Sequence, residues 1–382
     1  MSAAPPRIVI AAGGTAGHVV PALAVADALR ARGAEVTFIG GERAEAELVP
    51  AAGYPFHRIA VAGLHRRHPL RAARAALLAA KAVVRARALL GELRPDAAMG
   101  GGGYVSGPVG LAALTRRIPL VLTEADSRLG IANRLLAPFA RRVCLAFPSD
   151  GCADRREGSD HSGRPPVARR KRRLVGRRGE DRYRVTGRPI PPPHEDRTAA
   201  RERLGIAPGA TCVLVFGGSL GARSINLAAL DAYAGAAFHV LHVCGRRDHP
   251  ELAARPLPPG YDLREYMGLG EFAQALAAAD LVVARAGGSL FEVAAHGKPA
   301  ILVPYPHAAA DHQTANARWM ERGGAAVVVP DEQLSAARLA RETAALLADP
   351  QRLRAMAGAS LRLSRPDAAD AVAQELLKAA RG

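Results

Sequence analysis

The chain has 382 residues, with 52 Lys and Arg against 35 Asp and Glu (net charge +17), 49% apolar and 23% charged residues. That balance excludes a disordered chain and fits a soluble globular protein, and the length suits two domains of roughly 150–200 residues. The sequence has no run of about 18 apolar residues to span a membrane and no nucleic-acid-binding motif, and its 4% aromatic content gives base stacking little support.

Arg7–Ala12 reads as a first strand, followed by the glycine-rich stretch AAGGTAGHVV at 11–20. A helix is expected over Val19–Arg32, closed by Gly33 in the left-handed position that follows many helices, and then a strand over Glu35–Ile39. The first strand begins so near the N-terminus that no room for a signal peptide is expected. Residues 58–90 carry Arg58, Arg66, Arg67, Arg71, Arg74, Lys81, Arg85 and Arg87 without an acid, and Leu70, Leu77, Leu78, Val84, Leu89 and Leu90 supply apolar surface. Such a helix either lies on an anionic membrane leaflet or packs its apolar stripe on a sheet. Strands follow at Ala97–Met99, Leu120–Thr123 and Arg142–Phe147 with helices between them, the rhythm of a doubly wound parallel sheet.

Residues 151–184 break the rhythm. They include the run Arg169-Arg170-Lys171-Arg172-Arg173 and contribute about +7 by residue count, and they read as a mobile basic insertion. Three sources of the basic charge compete: nucleic acid, an anionic membrane or substrate, and an arginine-rich composition throughout the chain. The segment Arg188-Pro189-Ile190-Pro191-Pro192-Pro193 then reads as a stiff linker. The pattern restarts with strands at Thr211–Phe216, His239–Cys244, Leu281–Ala284, Ala300–Val303 and Ala325–Val329, a helix from Ala222, and a terminal helical stretch broken near Pro350. Cys144, Cys212 and Cys244 fall in apolar runs, and with Cys152 they show no C-x-x-C spacing, so a reducing compartment is expected.

Each half opens with strand, G-G-x-x-G and helix: Gly13-Gly14-Thr15-Ala16-Gly17 and Gly217-Gly218-Ser219-Leu220-Gly221. A dinucleotide fingerprint would read G-x-G-x-x-G with an acid after the second strand. Here Ala12 stands for the first glycine and Glu42 follows the second strand, and the duplicated loop argues against a nicotinamide or flavin enzyme.

Four stretches, GGTAGHVVPALAVADAL from residue 13, GGGYVSGPVGLAA at 101–113, FGGSLGARSIN at 216–226 and FEVAAHGKPAILVPYPHAAADHQTANA at 291–317, together resemble the MurG family of N-acetylglucosaminyltransferases. The similarity runs from about residue 7 to 380, with 151–184 as an apparent insertion. The resemblance implies an α/β chain of GT-B architecture, two Rossmann-like domains with parallel sheets facing across a cleft. It divides the chain into an N-terminal acceptor and membrane-side domain, 1–190, and a C-terminal UDP-GlcNAc-binding domain, 191–363, with a last helix over about 364–382 packing back on the first. The implied reaction is inverting transfer of GlcNAc from UDP-GlcNAc to the C4 hydroxyl of undecaprenyl-pyrophosphoryl-MurNAc-pentapeptide (lipid I), giving lipid II for peptidoglycan synthesis. Neither cofactor nor metal is implied. The expected place is the cytoplasmic face of the bacterial plasma membrane, as a peripheral protein on an anionic surface. Cell wall biogenesis, cell shape and cell division would depend on the product, and no nucleic-acid partner is expected. A related UDP-sugar transferase acting on another lipid and a non-catalytic sugar-nucleotide-binding protein are the alternatives.

Carried onto this sequence, the resemblance places the donor at Gly218, Ser219, Arg285, Glu292, Gln313, Met267 and Asp126, with His312 and Asn316 beside Gln313. A helix N-terminus offers free N–H groups to the departing diphosphate, Ser219 adds a hydroxyl, and Glu292 suits the ribose hydroxyls or, alternatively, a helix dipole. The acceptor falls to Gly14, Thr15, Gly17, Tyr104 and Ser106. His18 is the general-base candidate, since an imidazole with pKa near 6.5 accepts a proton at neutral pH; the alternative is a ring that only caps or packs. The chain departs from the family pattern at Ala16, where the loop usually has glycine, at Asp126, where Glu124-Ala125-Asp126 stands for E-Q-N, and at Pro191, where an arginine is frequent although Arg188 lies close.

Overall fold

A computed structural model describes residues 4–61, 69–148, 182–193, 196–218, 221–308 and 311–382, with the backbone alone for 69–77. Ser219, Cys152, Arg66, Arg67 and the Arg169–Arg173 run lie outside the described residues, as do the side chains of Leu70, Arg71, Arg74 and Leu77. The chain forms two compact units, Met1–Pro191 with Asp367–Gly382, and Pro192–Pro366.

The first unit is built on strands β1 (Arg7–Ala11), β2 (Glu35–Gly40), β3 (Phe56–Arg58), β4 (Ala97–Gly100), β5 (Leu120–Glu124), β6 (Arg142–Leu145) and β7 (Tyr183–Val185). They pair in parallel in the order β3-β2-β1-β4-β5-β6-β7. The second unit repeats the plan with β8 (Cys212–Phe216), β9 (His239–Val243), β10 (Tyr261–Arg264), β11 (Leu281–Ala284), β12 (Ala300–Leu302) and β13 (Ala326–Val328), in the order β10-β9-β8-β11-β12-β13. Because helices cover both faces, the inner strands read as unbroken apolar runs, and all five residues of β8 are buried.

In both sheets the order reverses beside the unit's first strand, between β1 and β4 and between β8 and β11. Such a switch point opens a crevice beyond the carboxyl ends of the strands, where ligands of doubly wound sheets bind. Both glycine turns follow those ends.

Three strands escaped the sequence reading: β3, β7 and β10. Each is three or four residues long, ends a sheet or lies next to its linker, and mixes polar with apolar residues, leaving no periodicity to read. The first helix spans Ala16–Arg30, three residues earlier than expected at its start, with Thr15 as its N-cap. His18 therefore sits in its first turn. Ala16 keeps an ordinary helical backbone, since only Arg94, Arg117 and Asp311 among the described non-glycine residues have positive φ, so its methyl group costs the turn nothing.

The helix Pro69–Leu93 corrects part of the membrane-helix expectation. Leu89 and Leu90 are buried in the core of the first unit together with Ala82 and Ala86, so this part of the apolar stripe packs inward. Val84 remains 71% exposed. The final helix, Ala368–Ala380, buries Val372, Ala373, Leu376 and Ala379 against the first unit. Its Glu375 carboxylate receives Arg142 Nε (2.7 Å), Arg184 (2.5 Å) and Lys378 Nζ (3.0 Å). Cys144, Cys212 and Cys244 are buried free thiols, pushed up to about 12, 12 and 11 by desolvation.

Candidate active site

The crevice of the first sheet is made by two glycine turns that touch. Gly13-Gly14 follows β1, and Gly101-Gly102-Gly103 follows β4 and opens the helix Gly103–Thr115. Gly102 and Gly103 have φ of +88° and +75°. A Cβ on Gly103 would lie 1.8 Å from the Gly13 carbonyl oxygen, and one on Gly102 would lie 2.9 Å from His18 Nδ1. Only glycine allows both the left-handed backbone and this approach.

His18 is held against that second turn. Its Nδ1 is enclosed and has no hydrogen-bond partner among the described residues. Burial, seconded by the positive charge of Arg188, holds the imidazole below the ordinary histidine pKa of 6.5, while Asp126 and Glu45 oppose the shift. The ring is therefore neutral at pH 7 and able to take a proton. Arg188 itself is buried and donates to the Gly17 carbonyl oxygen at 2.6 Å, tying the start of the linker to the His18 turn. A small cavity beside them is lined by Gly17, His18, Thr123, Glu124, Thr186 and Arg188, among others.

The remaining acceptor-side residues divide into exposed and internal ones. Thr15 is exposed and its hydroxyl makes no capping bond. Ser106 is fully buried, accepting the Gly102 N–H at 3.1 Å and reaching the Ala11 carbonyl oxygen at 3.5 Å. Its hydroxyl thus braces the turn from inside, between Gly102 and the end of β1. The Tyr104 hydroxyl donates to Glu45 at 2.7 Å, and Arg43 lies over its ring, 5.0 Å from the centroid. Asp126, grouped with the donor in the sequence reading, lies in the first unit, where its charge acts on His18. Its loop is organised by the buried Glu124 carboxylate, which accepts from the Asp126 and Gly130 N–H groups and from Asn133 Nδ2. Burial pushes Glu124 above the usual carboxylate range despite those bonds.

In the second unit the glycine turn after β8 has Gly218 at φ +88° and Gly221 at φ +74°. A Cβ on Gly221 would lie 2.1 Å from the Cys244 carbonyl oxygen. Behind it, Asn226 Nδ2 donates to that same oxygen (2.9 Å) and to Asp248 (2.8 Å), so its Oδ1 must accept from His242 Nε2 (3.1 Å). His242 is therefore neutral with its proton on Nε2, and its Nδ1 accepts from the Tyr261 hydroxyl at 2.8 Å. Desolvation agrees, bringing His242 down to about 4.

Arg285, directly after β11, is a buried clamp. It donates to the carbonyl oxygens of Val303 and Pro304, pairs with Asp331 at 2.6 Å and reaches Ser224 Oγ at 2.8 Å, in the first turn of the helix Arg223–Ala232. Its guanidinium is spent mostly on holding the ends of β11 and β12 to that helix. Glu292 lies half-buried in the first turn of the helix Leu290–Ala295. The Tyr305 N–H donates to Gln313 Oε1 at 3.0 Å, which turns the Gln313 Nε2 donor the other way, toward Gly287. Asn316 is buried and donates to the Ala286 carbonyl oxygen, while Asp311 before this helix is held left-handed at φ +54°. Met267 is buried in the core of the second unit. Among the described residues no three His, Cys, Asp or Glu side chains gather as a metal site.

Glu45 and the Asp248–Asn226–His242 chain were missed in sequence, and Glu124 entered only as the first residue of the Glu124-Ala125-Asp126 stretch. Glu45 sits in AEAELVP, which reads as a solvated helix, and nothing in that spacing reports that its carboxylate turns inward.

Two family models match the chain, the glycosyltransferase family 28 N-terminal domain over residues 8–145 and the family 28 C-terminal domain over residues 212–372. A relative from Moorella thermoacetica named UDP-N-acetylglucosamine--N-acetylmuramyl-(pentapeptide) pyrophosphoryl-undecaprenol N-acetylglucosamine transferase is 42% identical, over 97% of this chain and 98% of its own length. A relative of the same name from Pseudomonas entomophila is 38% identical over all of both chains. Among solved structures, MurG of Acinetobacter baumannii superposes with a TM-score of 0.72 at 28% identity, covering 98% of this chain and 100% of that one.

Proposed function

The chain belongs to glycosyltransferase family 28, in its MurG-type branch, and from that membership we propose that it transfers GlcNAc from UDP-GlcNAc to the C4 hydroxyl of undecaprenyl-pyrophosphoryl-MurNAc-pentapeptide. The observation that carries the reading is His18: a neutral imidazole fixed between two glycine turns at the switch point of the first sheet. With Nδ1 enclosed, Nε2 is the nitrogen left to meet a substrate. It takes the C4 hydroxyl proton as that oxygen attacks C1 of GlcNAc, while the bond from C1 to the UDP oxygen breaks on the opposite face. One displacement inverts C1 and gives a β-1,4 link.

The second unit is the donor side of this reading. Gly218, Gly221 and the free amides opening the helix Arg223–Ala232 receive the diphosphate, where N–H groups and the helix dipole favour negative charge; Ser219 adds its hydroxyl. Glu292 accepts from the ribose hydroxyls, the Met267 backbone meets the uracil, and Gln313 offers Nε2 to the sugar. Arg285 acts through Ser224, holding the helix start in place. Thr15, Gly17 and the Tyr104 ring line the acceptor side, with Asp126 contributing charge near His18.

The same reading places the protein peripherally at the cytoplasmic face of the plasma membrane, its product feeding cell wall growth and with it cell shape and division. Among the described residues no helix is long and apolar enough to cross a membrane. Leu111, Leu135 and Phe139 are 46%, 67% and 69% exposed on the first unit; Phe139 shares a surface hollow with Arg117 and Arg141, and Arg134 precedes Leu135 in the chain. Together with Val84 they supply the apolar and basic contact that an anionic leaflet requires.

His18→Ala and Glu292→Ala separate the roles. The first is expected to lose turnover while keeping UDP-GlcNAc binding, and the second to lose donor binding. Full activity in both variants would overturn the assignment.

A further inference from the structure

We propose that Glu45 is a positioning residue for the transfer reaction, a built-in anion that locks the glycine turn carrying His18 and occupies the Gly14 amide. The inference rests on the reading of His18 as the base. Glu45 belongs to the helix Ala44–Ala51 and is fully buried. Its Oε2 accepts the Gly14 N–H at 2.8 Å, and its Oε1 accepts the Gly41 N–H at 3.0 Å and the Tyr104 hydroxyl at 2.7 Å. One carboxylate thus joins the turn after β1, the turn after β2 and the first turn of the helix Gly103–Thr115.

The fit leaves no slack. A Cβ on Gly13 would lie 2.8 Å from Glu45 Oε1, and one on Gly41 would lie 2.9 Å from the same atom. Gly14 is thereby held at φ +115°, a conformation open essentially to glycine, and the space on its Cα borders both the His18 ring and the Tyr104 ring at 3.8 Å. A buried carboxylate would cost several kcal/mol if left alone. Burial does push Glu45 upward, but the Gly14 and Gly41 amides and the Tyr104 hydroxyl outweigh it and leave the group below its ordinary value, ionised.

Two consequences follow for the reaction. The Gly14 amide and the Tyr104 hydroxyl are already satisfied, so an acceptor diphosphate has to use the Ala16 and Gly17 amides and the Thr15 hydroxyl instead. The Glu45 charge also faces His18 in common with Asp126, against Arg188, so it adds basicity to the imidazole that it positions.

Glu45→Gln and Glu45→Asp test this in the full chain. Gln keeps the size but sets an NH2 against one of the N–H donors and removes the charge; Asp keeps the charge but is one methylene too short to span both turns. Both are expected to lower kcat by about 10- to 100-fold, the cost of a misplacement near 1 Å, with KM for UDP-GlcNAc and UDP affinity within about twofold of wild type. NMR titration of His18 is expected to show a lower pKa in Glu45→Gln and a near-wild-type pKa in Glu45→Asp. If Glu45→Gln does not fold, Glu45→Asp alone carries the test. Wild-type kcat in the folded variants, while His18→Ala is inactive, would overturn the role of Glu45. An active His18→Ala would overturn the underlying base assignment instead.

Discussion

Gly102→Ala is the most direct probe of how His18 is held. The new methyl carbon would stand 2.9 Å from Nδ1, where ordinary contact begins at 3.4 Å and extends to 4 Å, so the ring must retreat by about 0.5–1 Å. A shift of that size costs up to about 100-fold in turnover. The substitution also forces alanine into φ +88°, ψ 179°, a region essentially confined to glycine and worth about 1–3 kcal/mol, or roughly 2–4 °C in Tm per kcal/mol for a domain of this size. Gly33→Ala isolates that second effect, because Gly33 has φ +78° and nothing within 4 Å of the added carbon. Steady-state kinetics and thermal unfolding of both variants form the assay. Both are expected to lose Tm, Gly102→Ala the more because its methyl group also meets His18, with kcat reduced about 10- to 100-fold only in Gly102→Ala. Equal kcat in the two variants would refute the claim that the Gly102 surface sets the position of His18.

Gly221→Ala would press its methyl group against the Cys244 carbonyl oxygen and is expected to weaken UDP binding about 10-fold or more, by calorimetry, while leaving the His18 titration unchanged. Glu375→Gln is expected to destabilise the protein by about 1–3 kcal/mol at pH 7, since a buried carboxylate loses its cationic partners although the arginines are partly exposed. Those partners outweigh burial and hold Glu375 below the usual carboxylate range, so its stabilisation is complete above the unfolded-state pKa of about 4.3 and is lost as pH falls through the lower folded value. The Tm difference between Glu375→Gln and wild type is therefore expected to close in acid. For His18, whose pKa is lowered mainly by burial, the acidic limb of kcat/KM against pH is expected below 6.5.

The duplicated glycine turns made the doubled architecture legible, because a strand followed by G-G-x-x-G and a helix has few other uses. The inner strands were equally plain as apolar runs. The edge strands β3, β7 and β10 were not, since a three-residue stretch such as FHR has no period to detect. His18 stood out by its place after a glycine turn, but its partners did not. Glu45 and Gly102 come to its turn only through the sheet order, which brings the ends of β1, β2 and β4 side by side, while Arg188 reaches Gly17 from beyond β7. The leucines of the helix Pro69–Leu93 show the opposite failure: a basic, amphipathic pattern reads alike whether its apolar stripe faces lipid or core, and Leu89 and Leu90 face the core.

Incubating the protein with radiolabelled UDP-GlcNAc and lipid-linked MurNAc-pentapeptide and analysing the lipid fraction tests the transfer itself. A labelled β-1,4-linked disaccharide lipid and one UDP released per transfer are expected, both lost in His18→Ala. Labelled lipid with an α linkage, or UDP release without any disaccharide lipid, would contradict the proposed transfer.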